Sequence, residues 1–210
     1  MAKLWLLDFD GTLVDSEKAI KACYIKIGQK LVPDRVSFIK TMLIGPTLNE
    51  SSRMILTNKK IHLLESFKKQ FQELYDREVI LETKKYPNVN KTLNNLHTKG
   101  DHLFIITNKR SNPTHKLINY YGWNNYFSFI ACADEYENIK HKSEIINLMK
   151  INYCNYDEIF LVGDTVNDGI AAKKNKIKFI KAEYGYGKDE NWNNIPIYKS
   201  IKKFNELVMI

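Results

Sequence analysis

Two pairs of acidic residues follow apolar runs of the chain. Asp8 and Asp10 come directly after the run at 4–7 in "LLDFDGTLVDS", and Asp164 and Asp168 follow the run at 159–163 in "GDTVND". Carboxylates that are gathered without a counter-charge repel one another. A hard divalent cation removes this repulsion, and magnesium prefers oxygen ligands. The four acids therefore predict a Mg²⁺ site.

Hydroxyl, amide and amine groups occupy similar positions. Thr12 lies two residues after Asp10, Thr107 and Asn108 end another apolar run, and Lys142 precedes a predicted helix. Such groups can hold phosphoryl oxygens and balance the charge that spreads over them during transfer. A carboxylate facing a bound phosphate can attack phosphorus and form an aspartyl-phosphate. Each motif alone is common in turns and helix caps, but the ordered set predicts phosphoryl transfer.

Short apolar runs define the elements that must position these groups. Continuous rather than alternating hydrophobicity is typical of parallel strands that are covered on both faces. The runs lie at 4–7, 103–107, 159–163 and 178–182, with a weaker one at 129–133. Helical segments separate them, which predicts a doubly wound, Rossmann-like parallel α/β sheet. In such sheets, sites form at the carboxyl ends of the strands.

Helix boundaries between these strands are indicated by capping residues. Asn112 is the predicted N-cap of one helix, with Pro113 at its first position and Gly122 at its end. Ser143 is the predicted N-cap of the next helix. Lys142 would then directly precede that helix.

Residues 17–84 interrupt the alternation, because they contain no convincing strand. Apolar residues recur there at helical spacing, at Ile61, Leu64, Phe67, Phe71 and Leu74. We interpret this stripe as core packing of a small all-helical domain inserted after the first strand. The predicted domains are an α/β core, residues 1–16 and 85–210, and a helical cap, residues 17–84.

Composition limits the partners of the protein. The net charge of +8 comes from 28 Lys and 4 Arg, which are scattered rather than clustered, so no nucleic-acid partner is expected.

No run approaches the ~20 apolar residues of a membrane-spanning helix, and no signal peptide is recognisable. Cys23, Cys132 and Cys154 are too far apart to predict a disulfide framework or a zinc site. We expect a cytoplasmic protein, a monomer or a weak dimer.

The motifs resemble those of a known family. "DFDGTLVDS", "TN" after the second long strand, a Lys before a helix and "GDTVND" are similar to the four motifs of the haloacid dehalogenase-like hydrolases. "KYPNVNKTLNNLHTKGDHLFIITNK" resembles the segment before the second motif in the phosphoglycolate phosphatase-like and β-phosphoglucomutase-like branch. That branch carries a helical cap after the first motif, which matches residues 17–84. The resemblance covers nearly the whole chain.

The resemblance implies a role for each motif residue. Asp8 would be the nucleophile and a Mg²⁺ ligand. Asp10 would bind Mg²⁺ through its backbone carbonyl, and its side chain would act as general acid and then as general base. Asp164 would bind Mg²⁺ directly, and Asp168 directly or through a water. The phosphoryl group would be held by Thr12, Thr107, Asn108 and Lys142.

Some features leave alternatives open. The motif lysine of the family is commonly followed by Pro, whereas Lys142 is followed by Ser143, and Lys140 is a competing candidate. In the cap, Gly45 begins a predicted loop and Thr47 and Arg53 follow it as candidates for substrate recognition. The predicted function is a Mg²⁺-dependent phosphatase, a phosphoric monoester hydrolase, acting on a small phosphorylated metabolite. A phosphomutase of the same fold, or a non-catalytic phospho-acceptor signalling module, are the alternatives.

Overall fold

The computed structural model of the chain describes residues 2–136, 141–152, 156 and 158–210. The chain forms two compact units. One unit is Met1–Asp15 with Lys85–Ile210, and the other is Ser16–Lys84. Lys140 and Cys154, which the sequence analysis considered, lie outside the described residues.

Strands and α-helices alternate along most of the first unit, whereas the second unit contains the first four α-helices of the chain. The strands are β1 (Leu4–Leu7), β2 (Val14–Asp15), β3 (Lys84–Lys85), β4 (His102–Thr107), β5 (Phe127–Cys132), β6 (Ile159–Gly163), β7 (Lys178–Ala182) and β8 (Lys199–Ile201). The α-helices are α1 (Glu17–Leu31), α2 (Val36–Thr41), α3 (Leu48–Leu56), α4 (Leu64–Leu74), α5 (Val89–Thr98), α6 (Ser111–Tyr121), α7 (Lys142–Asn152) and α8 (Val166–Asn175).

A six-stranded sheet forms the centre of the first unit. Its strand order is β5-β4-β1-β6-β7-β8, and the strand pairs are parallel. The central strand β1 pairs through Leu7 with Ile105 of β4 and with Val162 of β6. The carboxyl ends of these three strands therefore meet at one edge of the sheet, where Asp8 and Asp164 follow.

Both faces of the sheet are covered, which explains the continuous apolar runs. On one face, Leu4 and Leu6 join a core cluster that includes Ile146 of α7 and Ala172 of α8. Successive side chains of a strand point to opposite faces, so Trp5 faces the other side, where it stacks on Phe160 with the ring centroids 4.8 Å apart. The predicted fold class, a doubly wound parallel α/β sheet, is confirmed.

Most predicted strands match the observed ones. The strands at 4–7, 159–163 and 178–182 coincide with β1, β6 and β7, while β4 begins one residue earlier than predicted and β5 two residues earlier. Strand β8 was not predicted, because this three-residue edge strand has one buried apolar side chain, Ile201, and no apolar run.

Two predicted helix caps are wrong. The helix predicted to begin after Asn112 begins at Ser111, with Arg110 as its N-cap, so Pro113 lies in its first turn. Gly122 ends this helix in the left-handed conformation as predicted, with φ of 71°. Helix α7 begins at Lys142, so Ser143 lies within the helix and does not cap it.

The second unit, Ser16–Lys84, consists of helices joined by short non-helical segments, with a strand residue, Lys84, at its end. The predicted apolar stripe contributes to its core, as expected: the ring centroid of Phe71 lies 4.5 Å from that of Tyr24 and 5.5 Å from that of Tyr75. The stripe also includes Phe67, which is fully buried. That this unit acts as a cap stays a prediction.

Two predictions, on membrane-spanning helices and on cysteines, concern the described part of the chain. No helix in it has the length and apolar character that crossing a membrane requires. Cys23 and Cys132 are buried and free, and burial raises the pKa of each thiol to about 12. Both thiols therefore stay protonated and inert near neutral pH.

Candidate active site

Three carboxylates meet at the edge of the sheet where β1 and β6 end. Asp8 follows β1, Asp164 follows β6, and Asp168 lies in the first turn of α8. Each offers an oxygen, and these oxygens all lie within 4.8 Å of one another. All three residues are buried. The structure thus brings together three of the four acids that the sequence analysis assigned to a metal site.

Asp8 is held by two donors on the same oxygen. The backbone N–H of Phe9 donates to its Oδ1 over 2.7 Å, and the ammonium of Lys142 lies 3.0 Å from the same atom. Lys142 also donates to Oδ1 of Asp168. A single buried ammonium therefore bridges the predicted nucleophile and a predicted metal ligand. That Lys142 binds the phosphoryl group stays a prediction.

Asp164 is held from two sides. The Thr12 hydroxyl donates to its Oδ1 over 3.2 Å, and the backbone N–H of Tyr186 donates to its Oδ2 over 2.7 Å. Thr12 was predicted to bind the phosphoryl group, whereas its hydroxyl donates to this carboxylate in the structure. Thr12 is fully buried and so helps to fix Asp164.

The position of Asp168 follows from helix capping. The N–H and the hydroxyl of Thr165, the N-cap of α8, donate to its Oδ2 over 3.0 and 2.7 Å. In this reciprocal capping arrangement the residue three positions after the N-cap returns its side chain to the N-cap backbone. Its Oδ1 is left to face Lys142.

Asp10 is placed differently from the other three acids. Both of its oxygens lie 3.1 Å from the ammonium of Lys109, and the two side chains are 13% and 5% exposed. Thr107 is buried at the end of β4, and its hydroxyl accepts a hydrogen bond of 3.1 Å from the Lys109 N–H. Asn108, between them, is partly buried. The sequence analysis missed Lys109, although it directly follows the "TN" motif.

The pKa values reflect this crowding of acids. Burial raises the pKa of Asp8 to about 7, with Lys142 opposing the shift and Asp168 adding to it. Burial, together with the charges of Asp8 and Asp168, raises the pKa of Asp164 well above its usual value. Burial alone would lower the pKa of Lys142, but Asp168 and Asp8 outweigh this effect and raise it. Ionisation of all three acids is therefore unfavourable unless a cation binds beside them.

This donor set fits magnesium. Asp8, Asp164 and Asp168 supply only oxygen atoms, close enough to share one ion, and Lys142 balances only part of their charge. A small divalent cation with a preference for carboxylate and water ligands would balance the rest. Asp10, the fourth predicted ligand, would contribute its backbone carbonyl rather than its side chain.

A loop after β7 was also missed by the sequence analysis. The hydroxyl of Tyr184 donates to the carbonyl of Thr12 over 2.9 Å, two residues before the N–H that binds Asp164. A Cβ on Gly185 would lie 2.2 Å from the Cβ of Asp164, so the loop requires glycine there. The alternation of Tyr and Gly in "YGYG" is the signal that could have identified this loop.

The three cap candidates lie in the second unit. Gly45 has a φ of 146° and precedes the turn into α3, as the loop prediction required. Thr47 is the N-cap of α3: its hydroxyl accepts from the Glu50 N–H over 3.3 Å and donates to the Glu50 carboxylate over 2.8 Å. Arg53 is exposed in the second turn of that helix. Thr47 thus has a structural role that the sequence analysis did not assign.

Gly11→Ala should disable the site with little additional loss of stability. Gly11 has a φ of 81°, and a Cβ there would lie 2.2 Å from Oδ2 of Asp164. We expect kcat to fall at least about tenfold, which corresponds to ~1.4 kcal/mol in the barrier. Gly100→Ala is the matched control, because Gly100 has a φ of 83° and open space around it. Both variants should lose about 1–2 kcal/mol in the free energy of unfolding, and equal kcat in the two would contradict the steric argument.

Stability of the metal-free protein should depend on pH. The folded-state pKa values of Asp8 and Asp164 lie above those of the unfolded chain, so the folded state binds protons more tightly. The free energy of unfolding should fall as the pH rises from about 4 through the Asp8 value of about 7. Mg²⁺ should therefore raise the melting temperature more at pH 8 than at pH 5. Asp164→Asn should reduce this difference, and a Mg²⁺ effect that is the same at both pH values would refute the explanation.

The sequence is similar to known enzymes whose family shares the motifs that meet in this site. Residues 5–182 match the family model described as haloacid dehalogenase-like hydrolase. A phosphoglycolate phosphatase from Vibrio parahaemolyticus is 29% identical over 198 residues, which is 90% of this chain and 86% of that protein. The pyrophosphatase PpaX from Halalkalibacterium halodurans is 25% identical over 175 residues, covering 82% of this chain and 80% of that protein.

Solved structures share the fold over the full length. A haloacid dehalogenase-like family hydrolase from Streptococcus pneumoniae superimposes with a TM-score of 0.81 at 20% identity, covering 100% of this chain and 97% of that one. The predicted enzyme class, a phosphoric monoester hydrolase, agrees with the relatives named phosphoglycolate phosphatase. Since the family model spans most of the sequence and its motifs meet in one site, the chain belongs to the haloacid dehalogenase-like hydrolases and is similar to their phosphoglycolate phosphatase-like branch.

Proposed function

We propose that this protein is a Mg²⁺-dependent phosphatase that hydrolyses a small phosphorylated metabolite through an aspartyl-phosphate on Asp8. The observation that carries the proposal is the placement of Asp8 beside Lys142 and two further buried carboxylates at the carboxyl end of β1. The position of a buried carboxylate among other acids, with one ammonium in contact, supports a role in chemistry rather than in packing.

The first step forms the covalent intermediate. Among the described residues, the contacts to the Asp8 carboxylate fall on Oδ1, from Phe9 and Lys142, so Oδ2 is the oxygen that we assign to the attack on phosphorus. A new bond from Oδ2 to phosphorus forms as the bond from phosphorus to the ester oxygen breaks. Asp10 donates its proton to the departing oxygen.

The second step returns the enzyme to its starting state. Asp10, now ionised, takes a proton from a water molecule, and the water oxygen attacks phosphorus. The bond from Asp8 to phosphorus breaks, which releases inorganic phosphate and the free carboxylate. One residue thus serves as acid and then as base, so its protonation at the end of the cycle equals that at the start.

Binding of the phosphoryl group falls to the polar groups around the two acids. Lys142 lies 3.0 Å from Oδ1 of Asp8 and would balance charge on the phosphoryl oxygens. Thr107 and Asn108, at the end of β4, are the neutral donors that we assign to these oxygens. Bound Mg²⁺, held by Asp8, Asp164 and Asp168, would supply a Lewis acid that neutralises the charge of the phosphoryl oxygens.

The names of the relatives, rather than the residues of the site, indicate which substrates to test first. The motif residues handle a phosphoryl group and do not read what it is attached to. Two of the relatives are named for phosphoglycolate and for pyrophosphate. We therefore expect a small, strongly anionic substrate and would test 2-phosphoglycolate first, with pyrophosphate beside it. The predictions of a cytoplasmic protein that is a monomer or weak dimer stay predictions.

Asp8→Asn tests the proposed nucleophile. The amide nearly matches the carboxylate in shape but is a poor nucleophile, so the fold should persist while turnover falls. We expect kcat to fall more than about a thousandfold, or ~4 kcal/mol in the barrier, as measured by phosphate release from an aryl phosphate. Retention of more than about a tenth of the wild-type kcat would reject Asp8 as the nucleophile.

A metabolite panel separates the proposal from its alternatives. Net, Mg²⁺-dependent release of phosphate from 2-phosphoglycolate or pyrophosphate is the expected result, and EDTA should abolish it. Interconversion of sugar phosphates without net release would instead identify a phosphomutase. A stable phosphorylated protein without turnover would identify a phospho-acceptor module.

Arg53→Ala tests whether the second unit recognises the substrate, and Thr47→Ala is compared with it. We propose that Arg53, exposed on α3, binds a second anionic group of the substrate through its planar guanidinium. Arg53→Ala should then lower kcat/KM about tenfold or more on 2-phosphoglycolate and leave that on an aryl phosphate nearly unchanged. Thr47→Ala should instead lower the melting temperature, since it removes the N-cap of α3. Equal losses on both substrates in Arg53→Ala would exclude a role in recognition.

A further inference from the structure

Two lysines are buried among the described residues of this lysine-rich chain. They are Lys109 and Lys142, which are 9% and 7% exposed. Burying an ammonium is costly unless a partner of opposite charge compensates for the lost hydration. Each has such a partner in the first motif, because Lys142 contacts Asp8 and Lys109 contacts Asp10. The motif role assigned above accounts for Lys142 but not for Lys109.

The contact between Lys109 and Asp10 fixes the whole carboxylate group. The ammonium lies 3.1 Å from both Oδ1 and Oδ2, so neither oxygen is favoured over the other. This symmetric contact opposes rotation of the carboxylate about its bond to Cβ. Side chains that are only 5% and 13% exposed leave little room for water to compete with the contact.

The backbone of Lys109 is itself held on both sides. Its N–H donates to the Thr107 hydroxyl over 3.1 Å, and its carbonyl accepts a hydrogen bond of 3.3 Å from the N–H of Ala133, just after β5. The lysine therefore projects from a fixed point at the carboxyl end of the sheet. It differs in this respect from an exposed lysine that finds a carboxylate by chance.

We propose that Lys109 is the positioning residue for Asp10, which keeps the acid/base carboxylate in one orientation for both of its proton transfers. This inference rests on the proposed function, since it takes Asp10 as the acid and base. A general acid must stay within hydrogen-bond reach of the oxygen that it protonates. A carboxylate that rotates freely on a loop spends less time in that geometry, and the rate of the step falls accordingly.

The dependence of the rate on the leaving group provides the test. In the first step the bond from phosphorus to the phenol oxygen breaks, and phenol itself needs a proton from Asp10 as it leaves. 2,4-Dinitrophenol leaves as a stable anion and needs none. The quantity to measure is kcat/KM for phenyl phosphate divided by kcat/KM for 2,4-dinitrophenyl phosphate, since kcat/KM reports the first step alone. Because both values come from one sample, partial unfolding cancels in the ratio.

Lys109→Met should lower this ratio about tenfold or more, given that a positioned general acid contributes ~10²–10⁴-fold. Lys109→Gln, which keeps a neutral donor in the buried site, should lower it in the same direction, and it carries the test if Lys109→Met does not fold. Lys109→Arg, which can contact both oxygens, should restore most of the ratio. Lys91→Met, at an exposed position on α5, is the matched control and should leave it unchanged.

Asp10→Asn distinguishes the failure of this inference from that of the proposed function. If Asp10→Asn lowers the ratio and the Lys109 variants lose activity equally on both substrates, or lose none, Lys109 does not position Asp10 and the proposed function stands. If Asp10→Asn also leaves the ratio unchanged, the acid/base role of Asp10 is wrong, and the inference fails with it. A lowered ratio in both supports the inference.

Discussion

Electrostatic repulsion among buried carboxylates is the constraint on which the site depends. Asp8, Asp164 and Asp168 place oxygens within 4.8 Å of one another and share one ammonium, that of Lys142. Two unit charges ~5 Å apart repel by about 3 kcal/mol at an effective dielectric constant of ~20. The raised pKa values of Asp8 and Asp164 are the consequence of this crowding and of burial. The fold can keep this cluster only if bound protons or a bound cation reduce its negative charge.

Local donors hold the acids in place against this repulsion. Each carboxylate receives a backbone N–H: from Phe9 to Asp8, from Tyr186 to Asp164 and from Thr165 to Asp168. Such donors are fixed by the turns that follow β1, β6 and β7, so they need no further ordering when a ligand binds. Gly163 at the end of β6, and Gly11 and Gly185 in the turns, belong to the same arrangement, because a Cβ on each would collide with Asp168 or Asp164.

Features that depend on local sequence could be predicted, and those that depend on long-range contacts could not. The strands were found because burial on both faces makes them continuously apolar, and Asp8 and Asp164 were found because they directly follow such strands. The pair of Lys109 and Asp10 joins residues 99 positions apart. The place of Lys109 directly after the "TN" motif marks it as lying near the site, but nothing local indicates that its partner is Asp10. Likewise, the donation from Tyr186 to Asp164 depends on how the loop after β7 returns to the site.

Asp8 and Asp10 are two residues apart, yet their surroundings differ, and a tight turn directly follows Asp10. Within it, Gly11 adopts a left-handed conformation and its N–H donates to the Val14 carbonyl over 2.8 Å. This turn leaves Asp8 among the buried acids and directs the side chain of Asp10 to Lys109. Two carboxylates with different chemical tasks need different environments. A tight turn at the end of one central strand, met by a lysine from the neighbouring strand end, is sufficient to create them.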